Sequence, residues 1–164
     1  MQRRGLSLLL SMALVMAALA VLPAPRALAA TTYYSTGSVA PDTLTNWKTA
    51  RDGTGTSPAN FTTGDIFVIQ NGHSMTTSAA WTVSGTGATI QIENGGTLTA
   101  NNLVSVLTFQ VDNGGRYIHN AVSGAANGSA GDIPGSTTRT FGSSSTVEIQ
   151  KWANSGTSPT ALPN

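Results

Sequence analysis

A short pattern that recurs three times constrains the fold of this chain more than any other feature. Each copy begins with an aliphatic and a polar residue, continues with Asn-Gly and two small or polar residues, and ends on an apolar residue. The copies are IQNGHSMTT from Ile69, IENGGTLTA from Ile92 and VDNGGRYIH from Val111. Their asparagines are 23 and 19 residues apart. A repeat of this length is typical of proteins that stack similar units.

The residues around these copies favour β-strands. Apolar and polar residues alternate, or form a compact apolar run, in Ile66–Gln70, Thr89–Glu93, Thr108–Asp112 and Thr146–Gln150. Shorter strands are predicted at Trp81–Val83, Thr97–Thr99, Val104–Val106 and Arg116–His119. After residue 29 no apolar pattern with a helical period is sustained. The sequence therefore predicts an all-β fold.

The repeat predicts that this fold is a right-handed parallel β-helix, or β-solenoid. Each coil would pair its backbone with the next coil and bury its aliphatic side chains in a continuous column. One predicted column consists of Ile69, Ile92 and Val111, with Ile149 as a further candidate, and a second consists of Met75, Leu98 and Tyr117. The alternative is an antiparallel sandwich with Asn-Gly hairpins, but its turns would be spaced more closely than those observed.

The Asn-Gly pairs are predicted to form a ladder at one corner of the stacked coils. Asn71, Asn94 and Asn113 would lie above one another, with each side-chain amide able to bond to its neighbour. The glycines that follow them would supply the backbone freedom that the corner needs. These glycines are Gly72, Gly95 and Gly114.

Residues 1–29 have the features of an export signal. Arg3 and Arg4 precede an apolar stretch of 17 residues, and Ala27-Leu28-Ala29 fits the small-x-small rule for cleavage. We expect cleavage after Ala29, which would leave an extracellular or cell-surface protein without a membrane span. The alternative is an uncleaved anchor, for which the apolar stretch is marginally long.

The rest of the chain divides into three predicted regions. Residues 30–64 are predicted to form an N-terminal cap, which would cover the open edge of the first coil. Residues 65–152 are predicted to form the coils, interrupted at about 120–145 by a long loop with room for one strand. Residues 153–164 are predicted to be a linker into further repeats, so we expect this chain to be a fragment.

The charge composition excludes one class of function. After residue 29 the chain has five basic and seven acidic residues, a formal net charge of −2. A protein that binds nucleic acid needs a basic face, and five scattered basic residues do not supply one. The chain also has no cysteine, which excludes disulfides, thiolate zinc sites and thiol chemistry.

Candidate site residues are few, and the sequence predicts no catalytic residue, cofactor or metal. His73 and His119 lack partners at metal-ligand spacing, and we expect His73 to be exposed on a turn. Glu93 and Asp112 share one repeat position with Gln70. Stacked carboxylates could share calcium or cleave a glycosidic bond. We favour a solvated outward position, because the dense aspartate pattern of calcium-binding coils is missing.

Three tryptophans could bind sugars by stacking, as in a lectin. Trp47, Trp81 and Trp152 are far apart in the sequence. We favour the interpretation that each one fills an end or a corner of the core.

The stretch from Trp47 to Asn120 resembles the N-terminal region of large secreted or surface-displayed bacterial proteins with right-handed β-helix repeats. The segments that carry the resemblance are NWKTARDGTGTSPANFTTGDIFVIQNGH, IQIENGGTLTANN and FQVDNGGRYIHN. The closing KWANSGTSPTALPN is similar to a link into another repeat. The family is mostly uncharacterised, and the resemblance implies an extracellular scaffold or adhesin-like role without catalytic residues.

These observations predict a structural or adhesin-like module at the cell surface, with no catalysis in this chain. Surface glycans or other copies of the chain are the expected partners. One alternative is the N-terminal part of a carbohydrate-active β-helix enzyme, a polysaccharide lyase or glycoside hydrolase, whose active site lies downstream. Another is a surface subunit that assembles with itself.

Overall fold

The computed structural model describes residues 29–121 and 134–151. These residues form β-strands and one short 3₁₀ turn at Leu44–Asn46 but no α-helix, so the prediction of an all-β fold is confirmed. The strands are β1 Thr32–Ser35, β2 Trp47–Lys48, β3 Ile66–Ile69, β4 Ser74–Thr76, β5 Trp81–Thr82, β6 Thr89–Ile92, β7 Thr97–Ala100, β8 Val104–Val111, β9 Arg116–Asn120, β10 Gly135–Phe141 and β11 Thr146–Lys151.

Nearly all of the predicted signal segment and the whole of the predicted linker lie outside the described residues. Within the described residues, no helix has the length and apolar character needed to cross a membrane.

The strands form two sheets. The first has the order β10-β8-β6-β3-β1-β2, with β5 also paired to β8, and the second has the order β11-β9-β7-β4. Every pair is parallel except β1 with β2. Strands that are neighbours within a sheet come from successive repeats, so the antiparallel sandwich is wrong for this chain.

The chain passes from the first sheet to the second through a short turn in each of four units. Unit 1 contains β3 and β4, unit 2 contains β6 and β7, unit 3 contains β8 and β9, and unit 4 contains β10 and β11. The start of β8 pairs with β5 and its C-terminal half pairs with β6. Strand β8 is therefore one continuous strand where the sequence predicts two, Val104–Val106 and Thr108–Asp112.

The apolar core lies between the two sheets, and its side chains are aligned from unit to unit. In the first sheet, Ile69 is in register with Ile92 and Ile92 with Val111. In the second sheet, Met75 is in register with Leu98 and Leu98 with Tyr117. All six side chains are fully buried. Burying a side chain of this size contributes about 1.5–3 kcal/mol.

Unit 4 corrects one predicted member of the first column. Ile149 lies in the second sheet opposite His119 and is 39% exposed, whereas Phe141 takes the position next to Val111. The reason is the turn at residues 142–145, which places the strand after it in the second sheet. That turn has no Asn-Gly pair, so the sequence repeat does not reveal it.

The range predicted at about 120–145 as a long loop with room for one strand contains one described strand. Strand β10 lies inside this range and pairs in parallel with β8 from Gly135 to Phe141. Its sequence, GSTTRTF, has one large apolar residue, so backbone pairing rather than apolar patterning defines the strand.

The predicted cap region contributes two strands and an aromatic cluster. Strand β1 pairs with β3 on one side and with the antiparallel β2 on the other. The indole of Trp47 stacks on Trp81 at 5.5 Å and donates to the Pro41 carbonyl oxygen at 2.8 Å. Phe67 meets the Trp47 ring edge-on at 5.1 Å. The cap region therefore continues the core beyond unit 1.

Polar side chains of the cap region also satisfy the outer edge of the second sheet. The Ser74 amide at the start of β4 donates to Ser38 Oγ at 2.9 Å. The amides of Ser78 and Ala79 donate to the Asp42 carboxylate at 2.9 and 3.1 Å. Strand β4 is the outermost described strand of the second sheet, so the backbone amides along its outer edge have no strand to bond to. Side chains of the cap region supply acceptors for these amides instead.

Candidate binding groove along the asparagine turns

Each unit has a tight turn of the same geometry between its two strands. In every turn, the amide of the fourth residue donates to the carbonyl oxygen of the first, at 2.9–3.1 Å. The turns are Gln70–His73, Glu93–Gly96, Asp112–Gly115 and Gly142–Ser145. The fourth turn has the same hydrogen bond without the Asn-Gly pair that identifies the first three.

The backbone of these turns forms the ladder that stacks the corner. Gly72 donates its amide to Gly95 at 3.1 Å, Gly95 to Gly114 at 3.0 Å, and Gly114 to Ser144 at 3.2 Å, in each case to the carbonyl oxygen. The three glycines have φ values of +79°, +76° and +77°, which other residue types rarely adopt. Glycine is therefore favoured at this position in the first three turns, whereas Ser144 occupies it in the fourth.

The asparagine side chains take a different arrangement from the predicted amide ladder. Asn71 lies over Gly95 and Asn94 over Gly114, with amide oxygens 2.9 and 2.6 Å from the points where β-carbons would be. The oxygen of Asn113 accepts from the Ser144 amide at 3.2 Å. No hydrogen bond joins one of these asparagines to the next. Each glycine has no side chain, and the asparagine of the turn before it fills the space that this leaves. The asparagine amide therefore does not reach the amide of the next asparagine.

Glu93 is held by a cation from the cap region. Arg51 donates to both oxygens of Glu93, at 3.0 and 2.5 Å, and its guanidinium lies 4.3 Å from the centre of the Tyr34 ring. The hydrogen bond and charge of Glu93 raise the pKa of Arg51, against a smaller opposing effect of burial. The pair ties residues 49–58 of the cap region to unit 2.

Asp112 is held by two amides on the outer face of the first sheet. Gln91 donates to one carboxylate oxygen at 2.7 Å and Gln110 to the other at 2.6 Å. These glutamines are in register on β6 and β8, which explains how both reach one carboxylate. Asp112 therefore has a fixed orientation and no cationic partner among the described residues.

An open cleft of about 560 Å³ runs along this corner. We call it the turn cleft. Its polar lining consists of Asn71, Glu93, Asn94, Gln110, Asp112, Asn113 and Thr140. Most of these residues belong to the turns, so the repeat that stacks the chain also builds the cleft.

The two histidines lie in other places. His73 is half-buried rather than exposed, and its Nδ1 is 2.7 Å from Ser35 Oγ, which also accepts from the Gln70 amide at 3.0 Å. The expectation of an exposed turn histidine is wrong because β1 brings Ser35 beside the turn. Ser35 itself is fully buried, which prevents it from acting as a nucleophile on a large substrate.

His119 belongs to the core. It is fully buried, and its Nδ1 is 3.1 Å from the Tyr117 hydroxyl oxygen. Burial raises the pKa of that hydroxyl well above its ordinary value. The pair is inaccessible to a ligand in the turn cleft.

The tryptophans do not form a surface for sugars within the described residues. Trp47 and Trp81 are fully buried and stacked on each other, so a lectin that uses either face is wrong. Trp152 lies outside the described residues.

Carboxylates and imidazoles do not gather into a metal site in the described part of the chain, where no group of three or more is close enough. Glu93 and Asp112 share a turn position, as predicted, yet each is bonded to its own protein partners.

Sequence reasoning missed three residues of this region. Arg51 is far from Glu93 in sequence, and nothing local indicates that the two meet. Gln91 and Gln110 alternate with buried residues on their strands, and this alternation could have identified them as an outward column.

The chain matches no protein-family model, and neither a curated protein nor a solved structure is significantly similar to it.

Proposed function

We propose that this chain is the capped start of a right-handed parallel β-helix in an exported bacterial protein, and that it acts as a structural or adhesive module at the cell surface. The observation that carries the proposal is the in-register parallel pairing of successive units through equivalent turns. Backbone ladders and aligned core columns of this kind can be extended by adding units.

The residues of the turn cleft support binding rather than catalysis. Arg51 occupies both oxygens of Glu93, and two glutamines hold Asp112. Each carboxylate is thus held in place by protein groups, and within the described residues neither is hydrogen-bonded to a histidine or to a second carboxylate with which it could share a proton. The low charge of the chain after residue 29 is also consistent with uncharged partners such as surface glycans.

Export and adhesion can be tested together. The full chain should be expressed in a bacterial host, and the mass of the released protein should correspond to cleavage after Ala29. Beads coated with this protein should adhere to bacterial or host cell surfaces, whereas beads coated with an exported protein of similar charge should not. Retention in the cytoplasm, or adhesion no greater than that of the control, would contradict the proposal.

The enzymatic alternative is tested on the same material. The protein should be incubated with neutral and acidic polysaccharides, and both new reducing ends and the ultraviolet absorbance of unsaturated products should be measured. We expect neither signal. Turnover of one polysaccharide would replace the adhesive proposal with a carbohydrate-active one.

A second candidate, a self-assembling surface subunit, is favoured by the edges of unit 4. Within the described residues, β10 and β11 each pair on one side only. Unpaired strand edges are templates for further strands. Analytical ultracentrifugation over a hundredfold range of concentration distinguishes this candidate, because a self-assembling subunit must show concentration-dependent growth.

A further inference from the structure

We infer that the turn cleft binds an uncharged saccharide chain that lies along the stacking direction of the units. This inference rests on the proposed surface-binding function and names the ligand class of one site. Its basis is a row of amides and carboxylates, presented by successive turns and held in place by the fold.

The first argument is repetition. Asn71, Asn94 and Asn113 occupy one position in three successive turns. Neighbouring strands in a sheet are about 4.7–4.9 Å apart, so the asparagines recur at about this spacing along the cleft. One sugar residue of an extended polysaccharide has a comparable length. A chain of identical sugars could therefore meet the same amide at each step.

The second argument is the free hydrogen-bonding capacity of the asparagines. Asn71 and Asn94 are seated over glycines of the next turn, and these glycines are fixed by the backbone ladder. Among the described residues, neither side chain has a hydrogen-bond partner. Their amides therefore retain both donors and an acceptor, which matches the hydroxyl groups of a sugar.

The third argument is charge. Arg51 compensates Glu93 at one side of the cleft, while Asp112 is bonded to amides alone. The cleft therefore carries the charge of one carboxylate. An ionised carboxylate can accept about four hydrogen bonds, so Asp112 retains sites for sugar hydroxyls. The same charge disfavours acidic sugars, so we expect neutral saccharides to bind in preference to acidic ones.

The probes are cellotriose and chitotriose as neutral ligands and trigalacturonate as an acidic one. Binding to the full exported chain should be measured by isothermal titration calorimetry, with saturation-transfer NMR for weak interactions. We expect a measurable dissociation constant for at least one neutral trisaccharide and weaker binding of trigalacturonate by tenfold or more.

Two substitutions locate the site. Asn94→Ala and Asp112→Asn should each weaken binding about tenfold, because each removes hydrogen-bonding capacity from the cleft. The matched control is Asn101→Ala, because Asn101 is an exposed asparagine that bonds to Asn120 outside the cleft. The control should bind like the wild type. Circular dichroism melting must show that each variant is folded.

The inference is overturned if neither neutral trisaccharide binds, if trigalacturonate binds equally well, or if Asn101→Ala weakens binding as much as Asn94→Ala. Titration with calcium provides a further test. Calcium binding that depends on Asp112, without saccharide binding, would reassign the cleft to a cation. If the coated beads adhere but the Asn94→Ala variant adheres equally well, the cleft inference fails while the proposed surface function stands.

Discussion

The two ends of the stacked units are built differently. At the N-terminal end, the antiparallel β2 covers β1, and Ser38 and Asp42 accept the amides at the outer edge of the second sheet. At unit 4, β10 and β11 pair on one side only within the described residues. The first end is closed by residues of the cap region, whereas at the second no described strand pairs with the outer edge of β10 or of β11.

Packing differs in the same way. Trp47 and Trp81 are fully buried at the capped end, whereas Ile149 on β11 is 39% exposed. Parallel pairing thus supplies backbone hydrogen bonds at both ends of the stacked units. Apolar side chains are fully buried mainly where the cap region or a further unit packs against them. This difference indicates that the cap region is part of the folding unit, and it leads to four predictions.

The largest expected effect is a loss of stability when a core side chain at the capped end is removed, compared with the same change at unit 4. Trp47→Ala should lower the free energy of unfolding by about 3–5 kcal/mol, because it empties a fully buried site and removes a stacked ring. Ile149→Ala should lower it by less than about 1 kcal/mol. Urea unfolding followed by far-ultraviolet circular dichroism measures both. Equal losses would show that unit 4 is packed as tightly as the cap.

The next effect concerns glycines with positive φ near the capped end. Gly85 has a φ of +99°, and a β-carbon there would lie 2.5 Å from the Gly64 nitrogen. Gly72 has a φ of +79° with open space around it. Gly85→Ala should therefore cost about 2–5 kcal/mol of stability and Gly72→Ala about 1 kcal/mol.

Thermal and urea unfolding of both glycine variants tests this difference. A similar loss in the two would mean that backbone conformation alone, and not the contact between the two loops, sets the requirement for glycine.

A smaller effect compares the ion pairs of the two ends. Arg51→Ala should cost about 1 kcal/mol, because Arg51 bonds to Glu93 twice and also lies over the Tyr34 ring. Arg116→Ala should cost less, because Arg116 bonds to Glu148 of unit 4 through one nitrogen. Urea unfolding at low and at high salt measures both losses. An equal or larger loss for Arg116→Ala would contradict the prediction.

The smallest effect is a pH dependence at unit 4. Hydrogen bonds from Gln150 and Arg116 hold the pKa of Glu148 below its ordinary value of 4.5. The contribution of Glu148 to stability is therefore present above that value and is lost as the pH falls through the lower pKa of the folded state.

The Glu148→Gln variant isolates this contribution. The difference in urea midpoint between wild type and variant should be constant from pH 7 to about pH 5.5 and should shrink at more acidic pH. If the difference in urea midpoint grows as the pH falls, the pKa of Glu148 is raised in the folded protein and the prediction is wrong.

The sequence predicted the repeating elements well where apolar and polar residues alternate before an Asn-Gly pair. Strands β3 and β6 begin at the predicted residues, and the two columns of buried residues lie in register. It allowed a strand at β10 but did not locate it, because Thr and Ser occupy most positions and the strand is defined by pairing with β8. It failed for Ile149, because the turn before β11 repeats the geometry of the other turns with different residues.

The site was predictable in part. The Asn-Gly positions and the shared phase of Glu93 and Asp112 follow from the repeat alone. The contact of Arg51 with Glu93 does not, because the two residues are separated by 42 positions and meet only after the cap region has folded back on unit 2.

The sequence by itself determined that this chain is built from β-strands, and it determined where three of the four turns lie, because glycine at positive φ and alternating burial are local requirements. Only the tertiary structure decided which strands pair, how the cap closes one end and which groups hold Glu93 and Asp112. Those outcomes depend on backbone bonds and side-chain contacts between residues that are distant in sequence, and no local pattern encodes them.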